Sequence, residues 1–393
     1  MKVLFILSQF YPLEGGTERQ ALLLAKALSR KTLPVDVVTG RWSRTTAKRE
    51  NLDSVKIYRN TTLGNHWQSS FMRNLSGVVY MVTLFIFLFL KRNRYNVYHV
   101  HQAFYPAFVA VIAGRLFKKP VIVKVGVGGN INDLMLMDEG RYFLGKWMAS
   151  WIRKADCFIA ISSQIKKELI HLGISEEKIA LIPNGVEIPA EVKRDYGLHN
   201  PVKIIFVGRL NPEKGCNLLV KAVDGIREVF SIHLDIYGEG PLRGTLQSEI
   251  ERRDLNHLIT LRGYRKNIRG VLPEYDLFVL PSKAEGMSNA LLEAMACGLP
   301  CVVSDISPNL ELVGPGKVDS VLNPGGYLVL ENGVAFHVND SLGLANAIRF
   351  LIFDENARER LGKSAREVVI KRFSIEAVAQ TYLELYGRLS RDN

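Results

Sequence analysis

The sequence predicts an α/β protein with two domains, each a parallel sheet covered by helices on both faces. Short apolar runs alternate with helical patterns along most of the chain, which indicates repeated βα units. The alternation stops in a polar stretch at 182–201 that contains Pro and Gly, and it restarts at Val202. A chain of 393 residues, of which 47% are hydrophobic and 23% are charged, is long enough for two such domains.

The first predicted domain covers residues 1–187. Its strands are expected at 3–7, 35–39, 55–59, 95–101, 121–125 and 157–161. Helices are expected at 21–28, 75–90 and 107–117, with a further helix that ends at 151–154. Because helices connect most of the consecutive strands, the strands are expected to run parallel.

The second predicted domain covers residues 188–372 and repeats the pattern. Its strands are expected at 202–207, 233–237, 259–261, 277–280 and 302–304. Helices are expected at 217–223, in the segment that ends near 253, and from 289 to the residue before Gly298. The tail from 346 is mostly helical by pattern, and 373–393 is assigned as a separate C-terminal helix.

The positive charge of the chain lies in the first domain. Residues 1–187 hold 26 of the 51 Lys and Arg and 13 of the 39 Asp and Glu, which leaves 25 basic and 26 acidic residues for the remainder. A basic domain suits an anionic membrane surface, a nucleic acid or an anionic substrate. No nucleic-acid-binding motif is present, so nucleic acid is not expected as a partner. The four cysteines form no metal-ligand pattern and are expected to be reduced thiols of a cytoplasmic protein.

The most apolar segment, 75–90, is followed at once by Lys91 and Arg92. It is shorter than the roughly 20 apolar residues that a membrane-spanning helix needs. We expect a buried or half-buried helix of the α/β layer. A helix that lies on a membrane surface, anchored by its basic end, is the alternative. The apolar run at the N-terminus is too short for a signal peptide.

Two glycine-containing loops follow predicted strands, and neither matches the dinucleotide-binding fingerprint. Gly15 and Gly16 have no third glycine at the required spacing, and Arg243 replaces the third glycine after Gly238 and Gly240. Gly15 and Gly16 either let the backbone approach a ligand beyond the strand end or form a flexible turn.

The stretch 281–301 predicts a helix start with a carboxylate on either side. Ser288 stands at the N-cap position, so the backbone N–H groups from Asn289 onward are expected to favour a phosphate. Glu285 precedes the helix and Glu293 lies within it, and carboxylates accept hydrogen bonds from sugar hydroxyls. An ordinary strand–turn–helix with surface acids is the alternative.

Two cations, Arg209 and Lys214, follow the first strand of the second domain, in a loop bounded by Gly208 and Gly215. Ligands of open α/β sheets bind beyond the carboxyl ends of strands. Arg offers a planar fork and Lys a point charge, so together they can hold a diphosphate. The alternative is a solvated surface loop with ordinary charges, which the combination with the Glu285 loop disfavours.

Six motifs occur in a fixed order along the chain: Gly15-Gly16, His99-Val100-His101, 182–186, Gly208-Arg209 with Lys214-Gly215, 238–241, and Glu285 with Glu293. In these motifs the chain resembles the retaining family-4 glycosyltransferases over nearly its whole length. The resemblance implies the GT-B fold, in which two Rossmann-like domains face each other across a cleft. It also implies that the C-terminal helix crosses back to the N-terminal domain.

The resemblance implies that the second domain binds a nucleotide-diphosphate sugar, with UDP favoured, and that the first domain binds the acceptor. Arg209 and Lys214 would hold the diphosphate, and Glu285 would face the donor sugar; these three are the expected catalytic residues. The other expected donor contacts are Glu293 at the ribose, the loop residues Gly286, Met287, Ser288 and Asn289, and Arg262, Gly263 and Tyr264 beside the base. Gly16 would approach the diphosphate from the first domain when the cleft closes.

The implied reaction keeps the anomeric configuration through attack on the same face of the sugar, so that no protein nucleophile is required. The leaving diphosphate would accept the proton of the acceptor. The chain contains no Asp-x-Asp sequence, which agrees with a transferase that needs no metal or other cofactor. Arg and Lys would supply the positive charge instead.

One position departs from the family. Many members have a His after the strand that here is Val121–Val125, and this chain has Gly126 there. In the family that His contacts the donor sugar, so its loss leaves the bound sugar open. Lys124 or Asn130 could take its place. His101 belongs to the resemblance, although such a His is more often structural.

The predicted function is transfer of a sugar to a lipid-linked or polysaccharide acceptor by a protein attached peripherally to the cytoplasmic face of an anionic membrane. The alternatives with the same fold are a sugar phosphorylase, a nucleotide-sugar epimerase and a non-catalytic nucleotide-sugar-binding subunit. We expect Lys214→Ala and Glu293→Ala each to lower turnover strongly if the chain is a transferase.

Overall fold

The computed structural model describes the chain except for residues 14, 64–69, 127, 129–132, 194, 315–322 and 392–393, and the side chains of 70, 71, 73 and 74. The chain divides into two compact units. Unit 1 comprises Met1–Gly185 together with Ile375–Asn393, and unit 2 comprises Val186–Ser374. These divisions fall two residues from the expected boundaries at 187 and 372.

Unit 1 contains an eight-stranded sheet in the order β3-β4-β2-β1-β5-β6-β7-β8, in which only β3 is antiparallel to its neighbour. The strands are β1 (Val3–Ile6), β2 (Val35–Arg41), β3 (Arg49–Leu52), β4 (Val55–Thr61), β5 (Val97–Val100), β6 (Val121–Val125), β7 (Cys157–Ala160) and β8 (Ile179–Leu181). Its helices are α1 (Gly16–Arg30), α2 (Ser70–Leu90), α3 (Tyr105–Phe117), α4 (Asp133–Asp138), α5 (Gly145–Ile152), α6 (Ser163–His171) and α13 (Ile375–Leu389).

Unit 2 contains a seven-stranded sheet in the order β11-β10-β9-β12-β13-β15-β14, with β14 antiparallel at the edge. Its strands are β9 (Val202–Val207), β10 (Ile232–Tyr237), β11 (Ile259–Gly263), β12 (Leu277–Leu280), β13 (Cys301–Ser304), β14 (Tyr327–Val329) and β15 (Val334–Phe336). Its helices are α7 (Cys216–Asp224), α8 (Arg243–Arg252), α9 (Asn289–Ala296), α10 (Ser307–Val313), α11 (Ser341–Phe353) and α12 (Glu355–Val368).

The differences from the expected elements have local causes. α1 begins at Gly16 rather than at 21, because the Glu18 side chain accepts a hydrogen bond from the Gly15 backbone N–H (2.8 Å) and caps the helix start. Gly16 therefore lies in a helix and not in the expected loop. Strand β3 was not predicted because its sequence, Arg-Glu-Asn-Leu, is polar and partly exposed. It forms a hairpin with β4 in which Asp53 has φ +54°.

The C-terminal helix α13 packs within unit 1, beside α1. Its buried face includes Val378, Tyr382 and Tyr386, at the spacing of one helix face. The Tyr386 hydroxyl lies 2.6 Å from Nδ1 of His99 on the central strand β5. This buried contact fixes the end of the chain onto the first sheet.

Helix α2 is the half-buried helix that the sequence predicts at 75–90. Tyr80, Leu84 and Leu88 are buried, and the Tyr80 hydroxyl donates to the Leu7 carbonyl oxygen (2.6 Å). None of the helices in the described parts of the chain combines the length and the apolar character needed to cross a bilayer.

Candidate active site

The candidate site lies at the point where the strand order of unit 2 reverses. From β9 the chain builds β10 and β11 on one side, and it then returns to β12 and β13 on the other. Loops that leave two neighbouring strands at such a point diverge and open a crevice beyond the carboxyl ends of the strands. Here the two loops are 208–215 after β9 and 281–288 after β12.

The two loops contact each other directly. The Lys283 backbone N–H donates to the Glu213 carbonyl oxygen (2.7 Å). Gly215 has φ +66°, and a Cβ at this position would lie 2.1 Å from the Pro281 carbonyl oxygen. Both observations require glycine here, so Gly215 allows the backbones of the loops to pack together.

Lys214 and Glu285 form an ion pair across the two loops. The Glu285 side chain is only 8% exposed and that of Lys214 is 20% exposed. The Ser282 hydroxyl also donates to Glu285 Oε1 (2.8 Å). The sequence analysis assigned Lys214 and Glu285 separate roles and did not predict their contact, because nothing in the sequence shows that β9 and β12 are neighbours.

Arg209 follows β9 in the same loop and is exposed. Lys214 is neutralised by Glu285, whereas the Arg209 guanidinium forms no ion pair with any residue that the structure describes. Arg209 therefore leaves this part of the crevice with an uncompensated positive charge.

Helix α9 begins at the crevice as the sequence predicts. The Ser288 hydroxyl accepts a hydrogen bond from the Leu291 backbone N–H (3.3 Å), and Ser288 has extended backbone angles. Met287 and Ser288 are buried, whereas Gly286 and Asn289 are partly exposed. The first turn of α9 holds no acidic residue, so its positive end is not offset there.

Glu293 lies one turn further along α9, on the same helix face as Asn289, and is 8% exposed. The structure thus brings Glu285, Ser288 and Glu293 to one loop–helix junction.

Buried polar contacts behind the site hold the β12 loop in place. The Ser304 hydroxyl donates to the Ser282 carbonyl oxygen. The Asn309 amide in turn donates to the Ser304 hydroxyl (3.1 Å) and to its carbonyl oxygen (3.2 Å). The sequence analysis missed all three supporting residues, since single Ser and Asn residues are common at strand and helix ends.

The loops after β10 and β11 reach the same sheet edge. The Gly238 backbone N–H donates to the Gly263 carbonyl oxygen (2.9 Å), and a Cβ on Gly238 would lie 1.8 Å from the Gly208 carbonyl oxygen. This close packing explains the glycine pair that resembles part of a dinucleotide fingerprint. Tyr264 follows Gly263 and its side chain is 61% exposed. Arg262 donates to Asp235 (2.7 Å), which holds the base of this loop.

The predicted sites in unit 1 lie at a second reversal of strand order, between β1 and β5. Gly16 begins α1, which follows β1. Its expected approach to the diphosphate remains a prediction.

His101 directly follows β5 and is buried, and among the described residues neither of its ring nitrogens has a hydrogen-bond partner. Its ring stacks on His99 (4.3 Å between centroids). Burial, with a contribution from the nearby Lys124, lowers the pKa of both histidines well below the usual value, so both are neutral. His101 also lines a small cavity together with Thr17, Gly126 and Asp133. Burial raises the pKa of Asp133 to about 6.

Lys124 is buried in unit 1, where its ammonium group donates to the Asn184 side chain (3.0 Å). Burial lowers its pKa to about 8. The observed contact of Lys124 therefore lies within the interior of unit 1. Its proposed contact with the donor sugar remains a prediction. A Cβ at Gly126 would meet no described atom within 4 Å, so the backbone leaves room for a larger side chain. Asn130, the other candidate, lies outside the described residues.

No group of three or more His, Cys, Asp or Glu in the described part of the chain is arranged to hold a metal ion. The four cysteines are free and buried, and burial raises the pKa of Cys157 to about 11.

Comparison with known proteins matches both halves of the chain to glycosyltransferase families. The profile described as Glycosyltransferase Family 4 matches residues 14–188, and the profile described as Glycosyl transferases group 1 matches residues 190–368. The chain is 27% identical to an Escherichia coli enzyme named UDP-Gal:alpha-D-GlcNAc-diphosphoundecaprenol alpha-1,3-galactosyltransferase. That alignment covers 96% of this chain and 95% of the enzyme.

Solved structures share the fold over the full chain. A sucrose-phosphate synthase from Thermosynechococcus elongatus superposes with a TM-score of 0.80 at 18% identity, and the match covers 100% of both chains. The Anabaena protein HepE, solved in complex with UDP, superposes with a TM-score of 0.72 at 20% identity over 99% of this chain and 100% of its own. Both units therefore have the Rossmann-like architecture of the GT-B fold. The two profile matches, over residues 14–188 and 190–368, show that the chain belongs to the family-4 glycosyltransferases.

Proposed function

We propose that this glycosyltransferase moves a sugar, with retention of configuration, from a UDP-sugar to a lipid-linked acceptor at the cytoplasmic face of a membrane. The main support is the crevice of unit 2, where Arg209, Lys214 and the start of α9 meet at a reversal of strand order. Two cations and a helix start together suit a diphosphate.

The Lys214–Glu285 pair suggests how the site takes up the donor. The ammonium group has three N–H donors, so it can turn toward a phosphate oxygen while it keeps one bond to Glu285. Glu285 keeps the Ser282 hydroxyl (2.8 Å) and has acceptor capacity left for a sugar hydroxyl. Glu293, one turn along α9, is the proposed partner of the ribose hydroxyls.

In the proposed reaction the bond between the anomeric carbon and the diphosphate breaks, and Arg209 and Lys214 stabilise the negative charge that develops on the leaving oxygen. The acceptor hydroxyl attacks from the same face, and its proton passes to the leaving diphosphate. No metal is needed for these steps, since the two side chains supply the positive charge. We therefore expect EDTA to leave the rate of transfer unchanged, and a loss of activity that added Mg²⁺ or Mn²⁺ restores would contradict this.

The nature of the donor and acceptor is proposed from similarity. The E. coli relative is named for UDP-galactose and for an acceptor on diphosphoundecaprenol, and its alignment spans almost the whole chain. HepE was solved with UDP. The excess of 26 basic over 13 acidic residues in 1–187 suits peripheral attachment to an anionic surface, where such an acceptor would be found.

The test is release of UDP from UDP-sugars in the presence of polyprenyl-diphosphate-linked sugars. The proposal expects UDP release only with an acceptor, together with an α-linked product by NMR. An epimerase would change the donor sugar without acceptor, a phosphorylase would require inorganic phosphate, and a non-catalytic subunit would do neither. The variant Arg209→Ala should lose this activity, whereas Arg252→Ala, an exposed arginine on α8, should keep it.

A further inference from the structure

The outward face of α2 is apolar although it is exposed. Its inner face packs on the sheet through Tyr80, Leu84 and Leu88. On the opposite side Val82 and Ile86, one turn apart, are half exposed, and Leu90 is 68% exposed. A helix on the surface of a globular protein normally presents polar side chains there. The segment 75–90 contains no charged residue.

The exposed apolar surface continues over the two neighbouring helices. α2 packs beside α3, where the Phe89 and Phe117 ring centroids lie 6.0 Å apart and Leu116 is exposed. α3 in turn packs beside α5. At the start of α5, Phe143 is 82% exposed and Trp147 is half exposed. We call this surface the apolar face, and it is defined by Val82, Ile86, Leu90, Leu116, Phe143 and Trp147.

Cations border the apolar face at one end. α2, α3 and α5 each return the chain to the amino end of the next strand, so the residues that follow them share one edge of the sheet. These residues include Lys91, Arg92, Lys118 and Lys154, none of which forms an ion pair with a described residue. Arg92 lies over the Phe89 ring (4.7 Å) and Lys154 over the Trp151 ring (4.0 Å), so both cations are held close to the aromatic surface.

The acidic residues near α5 do not offset these cations. Glu139 pairs with Arg141 (2.8 Å), and Asp138 pairs with Arg153. Asp156, two residues after Lys154, is exposed at the same edge and accepts a hydrogen bond from the Val121 backbone N–H (2.7 Å). One carboxylate does not cancel the four cations, so the border of the apolar face has net positive charge.

We propose that the apolar face is a docking surface for an anionic lipid bilayer. Val82, Ile86 and Phe143 would enter the boundary between headgroups and acyl chains, Trp147 would lie at the interface, and the cations would contact lipid phosphates. The inner face of α2 stays on the sheet, so the helix lies on the membrane without crossing it. A second copy of the chain is the other occupant that the test covers: it would bury the apolar side chains but would not neutralise the unpaired cations, which lipid phosphates would.

This docking surface deepens the proposed action on a lipid-linked acceptor, yet it can be tested without donor, acceptor or turnover. The full chain is floated with vesicles of phosphatidylcholine alone or mixed with phosphatidylglycerol, at low and high salt. The test variant is Val82→Asp with Ile86→Asp. Its matched control is Val229→Asp with Leu342→Asp, which changes two similarly exposed apolar residues of unit 2. A second variant, Phe143→Ser, tests the α5 end of the face separately.

We expect the wild type to float with anionic vesicles and only weakly with neutral ones, with less binding at high salt. Val82→Asp/Ile86→Asp should lower the partition coefficient by about tenfold or more, because two aspartates replace apolar side chains that would enter the bilayer. The control pair should bind like the wild type. Lys91→Gln with Lys118→Gln should weaken binding to anionic vesicles, whereas Lys221→Gln with Lys371→Gln in unit 2 should not.

The proposal is overturned if the wild type does not bind anionic vesicles at low salt, or if the control pair loses as much binding as the α2 pair. It is also overturned if the wild type is a dimer by light scattering that the α2 aspartates dissociate while vesicle binding is unchanged. Normal UDP release with a water-soluble acceptor analogue in a variant that no longer floats would separate failure of docking from failure of the proposed function.

Discussion

Replacement of Lys214 by methionine separates the two tasks that the structure gives this side chain. Methionine keeps roughly the length of the stem and removes the ammonium group. Among the described residues, Glu285, which is 8% exposed, then has the Ser282 hydroxyl (2.8 Å) as its one remaining hydrogen-bond donor. Loss of one partner of a buried ion pair costs roughly 3–5 kcal/mol, and this pair is partly exposed. We therefore expect the free energy of unfolding to fall by about 2 kcal/mol.

The effect on catalysis should be larger and separable. Removal of one preorganised group that stabilises developing charge lowers kcat by roughly 10²–10³-fold, or about 3–4 kcal/mol in the barrier. The double variant Lys214→Met/Glu285→Gln no longer has an unpaired carboxylate, so its stability should recover. Its kcat should not recover, because the cation is still missing.

The assay is UDP release at saturating donor and acceptor, with urea unfolding of the same preparations. Lys221→Met, an exposed lysine on α7, is the control and should match the wild type in both measurements. A kcat for Lys214→Met within about threefold of the wild type would refute a catalytic role. Recovery of kcat in the double variant would show that the loss in Lys214→Met comes from the unpaired Glu285 carboxylate and not from the missing cation.

Three further predictions follow from the geometry. Glu293→Ala should lower kcat/KM for the donor by about tenfold or more, measured at limiting UDP-sugar, because a ribose contact is lost; unchanged kcat/KM would rule out that contact. Gly238→Ala should destabilise unit 2 by about 3 kcal/mol or more in urea unfolding, since its φ is +146° and the new Cβ would lie 1.8 Å from the Gly208 carbonyl oxygen. The control is Gly244→Ala on α8, where an added Cβ would have no described atom within 4 Å, and it should leave stability unchanged or raise it. If Gly238→Ala and Gly244→Ala lower the free energy of unfolding equally, the packing argument is wrong. Finally, burial lowers the pKa of Lys124 from 10.5 to about 8 in the folded state. Between pH 8 and pH 10.5 the unfolded chain therefore binds more protons at this group than the folded chain does. The contribution of Lys124 to the free energy of unfolding should rise over this range by up to about 3 kcal/mol. The buried cysteines, whose pKa is raised, make stability fall over the same range. The quantity to measure is therefore the difference in unfolding free energy between the wild type and Lys124→Met as a function of pH. If this difference is the same at pH 8 and pH 10.5, the Lys124 ammonium group is not buried as assigned.

The parts of the fold that depend on local pattern could be predicted from the sequence. Strands β6, β9 and β12 have the predicted bounds, because each is an apolar run between polar or glycine-containing loops. The N-cap at Ser288 was also predictable, since the residue type, the preceding loop and the following helix formers all agree. Strand β3 escaped prediction because its polar residues are specified by pairing with β4 and not by burial.

The contacts of the site depend on which strands are neighbours, and sequence pattern does not reveal this. Lys214 and Glu285 are 71 positions apart and meet only because β9 pairs with β12. His99 and Tyr386 are 287 positions apart and meet because α13 packs on the first sheet. The sequence analysis named Lys124 as one of two residues that could take the place of the family His. In the structure its ammonium group is buried and donates to Asn184, and a role toward the sugar remains a prediction.

The most direct test of the proposed donor site is calorimetric titration of UDP into the full chain and into the double variant Arg209→Ala/Lys214→Met. We expect one UDP per wild-type chain and at least about a hundredfold weaker binding to the variant, because both cations at the crevice are removed. Equal affinity of the two proteins for UDP, or no binding of any nucleoside diphosphate or nucleotide sugar to the wild type, would contradict the assignment of the crevice between β9 and β12 as the donor site.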